Sequence, residues 1–282
     1  MAEILKGMPV VKHMKESQLE QVEKLRENGV IPKLAIVRIG EKPDDLSYER
    51  GVIKRFSGVN IDVEVFEYPE NISNDEFIKA FEKINNDDKI HGILLFRPLP
   101  KTIDEKQVIS VFNPAKDMDG MLNENIAKVF SGDDSGYAPC TPQAVMELLD
   151  YYNIDLTGKK VTVVGRSMVV GKPLSMMLLK KNATVTICHT RTKDLMAECK
   201  AADIVIAAAG VAKMLNGDYI SDGAIVIDVG INVDNDGNLC GDVDFDSCES
   251  KASMITPVPG GIGTVTTSVL AQHVIKAAML KV

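Results

Sequence analysis

A chain of 282 residues carries 32 lysines and arginines against 40 aspartates and glutamates, a formal charge of −8, with 45% hydrophobic and 26% charged residues. That is an ordinary globular balance with chain enough for one large core or two modest ones, and its acidity argues against a nucleic acid or an anionic membrane surface as the main partner. Cys140, Cys188, Cys199, Cys240 and Cys248 lack paired short spacing, which argues against a disulfide framework or zinc site and predicts a reducing, cytoplasmic location. The opening run MAEILKGMPVVKHMKES has no long apolar stretch, so neither a signal peptide nor a membrane span is expected.

Helix-like and strand-like segments alternate along the chain, the pattern of α/β architecture. Met14, Leu19, Val22 and Leu25 recur at near-helical spacing over residues 14–27, and Gly29 follows as a stop. KLAIVRI (33–39) reads as a buried strand closed by Gly40, 47–57 as a helix, and IDVEVFEY (61–68) as an alternating strand. Ser73 and Glu76 have capping-box spacing ahead of Phe77, Ile78, Phe81 and Ile84, which predicts a helix start there. HGILLF (91–96) is apolar throughout, as parallel strands buried on both faces tend to be. Thr141 followed by Pro142 predicts an N-cap and first-turn pair for a helix running to about Tyr152.

A second unit begins near Leu156 and holds four β-rich runs, KKVTVVG (159–165), ATVTICH (183–189), DIVIAAAG (203–210) and AIVIDVG (224–230). The connections between them are long enough for crossovers. A closing helix is expected from about Thr266 to Val282. The expected fold is α/β in two lobes, with a ligand cleft between them.

After the strand ending at Val164 comes GRSMVVGKPL (165–174), in which Gly165 and Gly171 bracket a tight strand-to-helix turn whose backbone amides suit a pyrophosphate. Ser167 stands where the full dinucleotide fingerprint has a second glycine; alone the turn is weak, and the further βα units strengthen it. An NAD site usually places an acid near the end of the second strand to accept from the ribose 2′-hydroxyl. Here the strand runs into His189, Thr190, Arg191 and Thr192, with no acid before Asp194. Arg166 and Arg191 suit a 2′-phosphate or are simply solvated surface arginines; the missing acid favours NADP and leaves NAD open.

Several motifs together resemble the methylenetetrahydrofolate dehydrogenase/cyclohydrolase family, of the bacterial bifunctional type. They are PKLAIVRIGEKPDDLSY (32–48), HGILLFRPLP (91–100), PAKDMDG (114–120), PCTP (139–142), GRSMVVGKPL (165–174) and TPVPGGIGTVT (256–266), in an order that covers nearly the whole chain. The resemblance implies an N-terminal folate-binding catalytic domain (1–142, completed by the helix 266–282), holding a tetrahydrofolate substrate. It also implies a Rossmann-like NADP-binding domain (143–265) and a homodimer with an apolar patch in the second lobe. Tyr48 matches the family tyrosine that lies against the folate, a role suited to a flat amphipathic ring. Asp119 matches an aspartate that accepts hydrogen bonds from the pterin, whereas Asp117 reads as a turn residue or cap. These two are the catalytic candidates. Pro98 joins the substrate set, as do Pro257, Gly260 and Gly261 of a loop resembling the one that closes over substrate and nicotinamide. The cofactor set is Gly165, Arg166, Ser167, Gly171, Thr190, Arg191 and Ile231. Cys140 reads as a packing residue, with no partner base beside it in sequence.

The chain departs from the family at two positions. The family usually has a lysine four residues after the tyrosine and a glutamine before the Pro-Leu-Pro segment; this chain has Val52 and Phe96. In the family the lysine moves protons in hydrolysing 5,10-methenyl- to 10-formyltetrahydrofolate, and the glutamine supports it. Valine and phenylalanine can do neither. Lys54 and Arg50, each two residues from Val52, are rotated by about 200° around a helix, nearly to its opposite face. Arg97 follows Phe96 on a strand and is expected on the other face of it. Hydride transfer asks less, because positioning of the carbon supplies much of the catalysis. The sequence therefore predicts NADP-dependent oxidation of 5,10-methylenetetrahydrofolate in one-carbon metabolism, with cyclohydrolase activity lost or weak. Competing readings are the bifunctional enzyme and a folate- or nucleotide-binding protein without catalysis. His13, His91, His189 and His273 show no metal spacing; His189 is the one placed near the expected ribose site.

Overall fold

The computed structural model describes residues 2–234 and 236–281; Met1, at the start of the expected first domain, and Val282, at the end of the expected closing helix, lie outside the described residues. In chain order the elements are β1 (Glu3–Ile4), α1 (Gly7–Glu27), β2 (Lys33–Ile39), α2 (Pro43–Ser57), β3 (Asp62–Tyr68), α3 (Asn74–Asn85) and β4 (Gly92–Leu95). Then follow α4 (Glu105–Val111), α5 (Asn123–Ser131), α6 (Cys140–Tyr151), β5 (Lys160–Val164), α7 (Gly171–Lys180), β6 (Thr184–Cys188), α8 (Leu195–Lys200) and β7 (Ile204–Ala207). The chain ends with β8 (Ile225–Asp228), β9 (Asn232–Val233), β10 (Leu239–Cys240), α9 (Phe245–Glu249), β11 (Met254–Ile255) and α10 (Thr266–Met279).

These elements form two compact units. One comprises Met1–Lys12, Lys128–Asp134 and Ala138–Thr266; the other comprises His13–Ala127, Ser135–Tyr137 and Thr267–Val282. The second unit holds a three-stranded sheet in the order β3-β2-β4, with both pairings parallel. Its centre is β2, whose residues 34–39 are all buried, as a strand covered on both faces requires. The capping box is formed: Ser73 Oγ accepts from Glu76 N, and Glu76 Oε2 accepts from Ser73 N at 3.2 Å. That cap fixes the start of α3, whose Phe77 and Phe81 join Ala35, Val37, Ile93 and Leu95 in one apolar cluster.

The first unit holds a six-stranded sheet in the order β1-β11-β8-β7-β5-β6, parallel throughout. From β5 the chain goes outward on one side to β6 and returns on the other to β7, so strand order reverses between β5 and β7. Such a topological switch point is where open α/β sheets open a crevice at the carboxyl ends of the strands. β9 and β10 form a separate antiparallel hairpin.

Three helices start differently from the sequence expectation. α1 begins at Gly7 rather than near Met14, because Pro9 is tolerated in a first turn. α2 begins at Pro43 rather than residue 47; proline is preorganised at that position, and Asp44 and Asp45 complement the positive helix end. In α6 the N-cap is Pro139, not Thr141, because the extended backbone of Pro139 already turns the chain into the helix at Cys140. No helix among the described residues is long and apolar enough to cross a membrane.

Candidate active site

In the three-stranded unit, α2 carries Tyr48 and Val52 one turn apart on one face. Val52 is fully buried, while Tyr48 is 39% exposed. Phe96, just beyond β4, is buried and places its ring 5.8 Å from that of Tyr48 at an interplanar angle of 40°. Arg50 and Lys54 are exposed. Arg97 lies past the end of β4 rather than on it, and its guanidinium donates to Glu105 Oε1 at 2.7 Å. Pro98 is exposed, and its carbonyl accepts from Lys42 Nζ at 3.4 Å.

Sequence reasoning missed Arg38, the one basic side chain in the otherwise apolar stretch Leu34–Ile39. It is buried, donating through Nε to Glu49 at 2.8 Å, to the Gly40 carbonyl at 2.7 Å, and to Glu67. Burial pulls its pKa down, but the neighbouring Glu49 and Glu67 outweigh that and leave it raised. Glu49 adjoins Tyr48, so this buried pair fixes the rotation of α2 and hence the face on which Tyr48 and Val52 stand. A pocket of about 720 Å³ opens beside it, lined by Arg38, Glu41, Lys42, Glu67, Tyr68 and Glu70 among others.

Asp117 is a structural turn residue. It is buried and accepts from Met121 N at 3.1 Å, Leu122 N at 2.9 Å and Asn125 Nδ2 at 2.8 Å; burial nevertheless raises its pKa. Asp119 is half-buried two residues on. The peptide before it is anchored by α10: His273 Nδ1 lies 2.8 Å from the Met118 carbonyl, so that nitrogen donates. Complete burial pushes the His273 imidazole down to about 4, so it is neutral at physiological pH. Its ring lies 5.4 Å from that of Tyr137, whose phenol is pushed up to about 12, mainly by burial and then by the charge of Asp117.

In the six-stranded unit, β5 delivers Gly165 into the turn before α7. Gly165 has φ +141°, and a side-chain carbon there would overlap the Ala208 carbonyl oxygen; one on Gly171 would overlap the Gly165 carbonyl oxygen. Both glycines are thus required by close backbone approach. Ser167 closes the turn: its Oγ accepts from Val170 N at 3.0 Å and Gly171 N at 3.4 Å, and its carbonyl accepts from Lys172 N at 3.0 Å. Arg166, Thr190 and Arg191 are exposed. After β6, His189 Nδ1 accepts from Arg191 N at 3.1 Å, and Thr192 Oγ1 accepts from His189 N at 2.9 Å. Asp194, the first acid beyond the strand, is spent as the N-cap of α8, accepting from Ala197 N at 2.9 Å.

Ile231, Pro257, Gly260 and Gly261 come together around a pocket of about 190 Å³ that Asp228 also lines. Asp228 and Asp242 are both buried, and sequence reasoning missed them. Asp228 Oδ1 accepts from Gly230 N at 2.9 Å and Asp242 N at 3.0 Å, and its Oδ2 accepts from Val243 N at 2.9 Å. Burial outweighs these donors and raises its pKa to about 6. The repeated juxtaposition of Asp and Gly in DVG (228–230) and GD (241–242) was the available clue.

A parallel sheet with a switch point, and at that point a strand-to-helix turn admitting only glycine at two positions, defines a Rossmann-type dinucleotide-binding protein. Comparison with known proteins narrows this. Residues 5–119 match the family described as tetrahydrofolate dehydrogenase/cyclohydrolase, catalytic domain, and residues 139–282 match its NAD(P)-binding domain. The chain belongs to the tetrahydrofolate dehydrogenase/cyclohydrolase family. It is 52% identical over 281 residues to the bifunctional protein FolD of Alkaliphilus oremlandii, covering 100% of this chain and 99% of that one. The crystal structure of the bifunctional enzyme FolD from Campylobacter jejuni superposes with a TM-score of 0.96 at 37% identity, covering 100% of each chain. A Trypanosoma brucei methylenetetrahydrofolate dehydrogenase-cyclohydrolase, solved with NADP and an inhibitor, has a TM-score of 0.91 at 33% identity, covering 99% of this chain and 98% of that one.

Proposed function

We propose that this protein oxidises 5,10-methylenetetrahydrofolate to 5,10-methenyltetrahydrofolate with NADP and contributes little or nothing to hydrolysis of the product. The observation that carries the second half is the environment of Tyr48: Val52 is fully buried one turn on, and Phe96 packs against the tyrosine ring. Neither side chain can accept or donate a proton, and the nearby cations Arg50 and Lys54 are exposed.

In this reading Tyr48 offers its ring face to the folate, and the Asp119 carboxyl accepts from the pterin. Pro98 lines the substrate side, and the Pro257–Gly261 loop lets backbone approach the ligands closely. The residues fit a dinucleotide: Gly165 and Gly171 let the backbone of the turn close up on itself, so that its amides can face a pyrophosphate, and no acid stands beside Arg166 and Arg191 to favour a ribose 2′-hydroxyl. Because Ser167 Oγ already takes the Val170 and Gly171 amides, the pyrophosphate falls to the earlier amides of the turn, and the two arginines are left for the 2′-phosphate. Thr190 and Ile231 complete the cofactor contacts. Bound NADP supplies the hydride acceptor. The work of the chain is to hold the methylene carbon in place and exclude water, since loss of hydride from a carbon flanked by nitrogen needs no protein base.

The family resemblance also supports a homodimer, and the lack of paired cysteine spacing supports a cytoplasmic location; the folate falls to the three-stranded unit and the nucleotide to the six-stranded unit, which takes in β1 as well. A second reading, the bifunctional enzyme, is favoured by the printed names of the relatives. Purified protein is mixed with 5,10-methylenetetrahydrofolate and NADP, with NAD in parallel. Folate-dependent formation of NADPH with accumulation of the methenyl product supports the proposal, stoichiometric 10-formyl product supports the second reading, and no reduction with either cofactor overturns both.

A further inference from the structure

The carboxyl group of Asp242 is fully buried and gathers three consecutive backbone amides of the loop that follows β7. Its Oδ2 accepts from Ala209 N and, at 2.9 Å, from Gly210 N; its Oδ1 accepts from Val211 N at 2.9 Å and from Asn232 Nδ2 at 2.9 Å. Successive amides curled around one anion-binding point form a nest, the kind of concavity that proteins turn toward phosphates. Here a side chain of the same chain fills it, so the loop is shaped before any ligand arrives. Gly210, at φ +68°, supplies the left-handed residue that such a curl needs.

Two glycines let the carboxyl groups in. A side-chain carbon on Gly230 would overlap Asp242, and one on Gly241 would overlap Asp228. The pairs interlock: Asp228, at the end of β8, holds the backbone of Asp242 and Val243, and Asp242 reaches back over Gly230. Ile231 is therefore pinned on both sides, by Gly230 N on Asp228 and by Asn232 on Asp242.

The loop so fixed stands at the topological switch point. Residues 208–211 extend the carboxyl end of β7, and the Ala208 carbonyl is the atom that forbids any side chain on Gly165. The glycine turn and this loop thus form the two walls of the crevice where such sheets take their ligand. We propose that Asp242 is a positioning residue of the NADP site, acting through the 209–211 loop and Ile231 and not by touching the substrate. The inference rests on the dinucleotide reading above. Replacing the carboxyl by an amide turns an NH2 group toward amides that themselves donate, so the loop loses its curl while the folate unit is untouched.

The test compares wild-type protein with Asp242→Asn and Asn232→Ala, the latter removing a single donor from the same carboxyl. NADP affinity is measured by titration calorimetry without folate, and amide hydrogen exchange is followed at residues 209–211. Asp242→Asn should weaken NADP binding by about tenfold or more, the scale of one or two lost buried hydrogen bonds. It should also speed exchange at 209–211 and leave KM for the folate within a factor of about three. Asn232→Ala should shift NADP affinity the same way by a smaller factor, and it decides the matter if Asp242→Asn does not fold. Unchanged NADP affinity in a folded Asp242→Asn, or in Asn232→Ala where that variant decides, overturns the inference alone. Absence of NADP binding by the wild type overturns the dinucleotide reading with it.

Discussion

The Tyr48 ring leans on the Phe96 ring, 5.8 Å between centroids at 40°, so Phe96 supports the aromatic group assigned to the folate. Tilted aromatic pairs at this separation contribute roughly 1 kcal/mol beyond area burial. Phe96→Leu, which keeps an apolar side chain and loses the ring contact, is expected to raise the folate KM about three- to fivefold with kcat little changed. Steady-state kinetics check this; a large fall in kcat at unchanged KM would mean that Phe96 does something other than steady the tyrosine.

At the dinucleotide turn the prediction is steric. Gly171→Ala drives a methyl group into the Gly165 carbonyl oxygen, where backbone and not a flexible side chain must give way. Thermal unfolding should show a lower Tm, and NADP affinity should fall by at least about tenfold. Unaltered affinity would place the nucleotide away from this turn.

Cofactor choice is predicted to sit on two exposed arginines. Arg166→Ala combined with Arg191→Ala should raise KM for NADP by about tenfold while KM for NAD changes little, because the guanidinium groups are assigned to the 2′-phosphate alone. Both side chains are exposed, so Tm should hold. Equal losses with NADP and NAD would point to a pyrophosphate contact instead.

Acid stability is predicted to depend on His273. Its folded pKa of about 4 lies below the ordinary histidine value of 6.5, so the folded state binds fewer protons between those limits. The stability contributed is present above about pH 6.5 and is lost as pH falls toward 4, on the order of 3 kcal/mol in total. Asp228, raised to about 6, acts with the opposite sign: its burial favours the protonated form, and stability falls as pH rises through that window. The informative comparison is therefore wild type against His273→Asn, whose amide can still donate to the Met118 carbonyl. Urea unfolding from pH 7 to pH 4.5 should show a steeper acid loss in the wild type; parallel curves would contradict the assignment.

Much of the fold was legible because its strands are short apolar runs between punctuating glycines and its helices have chemical starts. KLAIVRI is β2 with the expected bounds, and the Ser73–Glu76 cap opens α3 where the spacing requires. What escaped is what lacks a local period. β1 and β11 are two residues each and exist only because a parallel partner completes them. The Arg38 ion pairs join residues 11 and 29 positions apart, and the bonds from Asp242 to the 209–211 loop span 31 to 33. Spacing of that kind carries no periodicity. An arginine in an apolar strand, and the aspartates of DVG (228–230) and GD (241–242), were the marks left in the sequence. Lys54 and Arg50, by contrast, were correctly placed away from the Val52 face by helical geometry alone.

With Val52 and Phe96 beside Tyr48, oxidation of the methylene substrate is expected to proceed without enzymatic hydrolysis of its product. The most direct measurement supplies 5,10-methenyltetrahydrofolate to the protein and records 10-formyltetrahydrofolate against the uncatalysed rate, using a preparation that reduces NADP with the methylene substrate. Hydrolysis no faster than without enzyme is expected. Enzyme-dependent 10-formyltetrahydrofolate at a rate comparable to NADP reduction would contradict it and show that a group other than the side chains at positions 52 and 96 moves the proton.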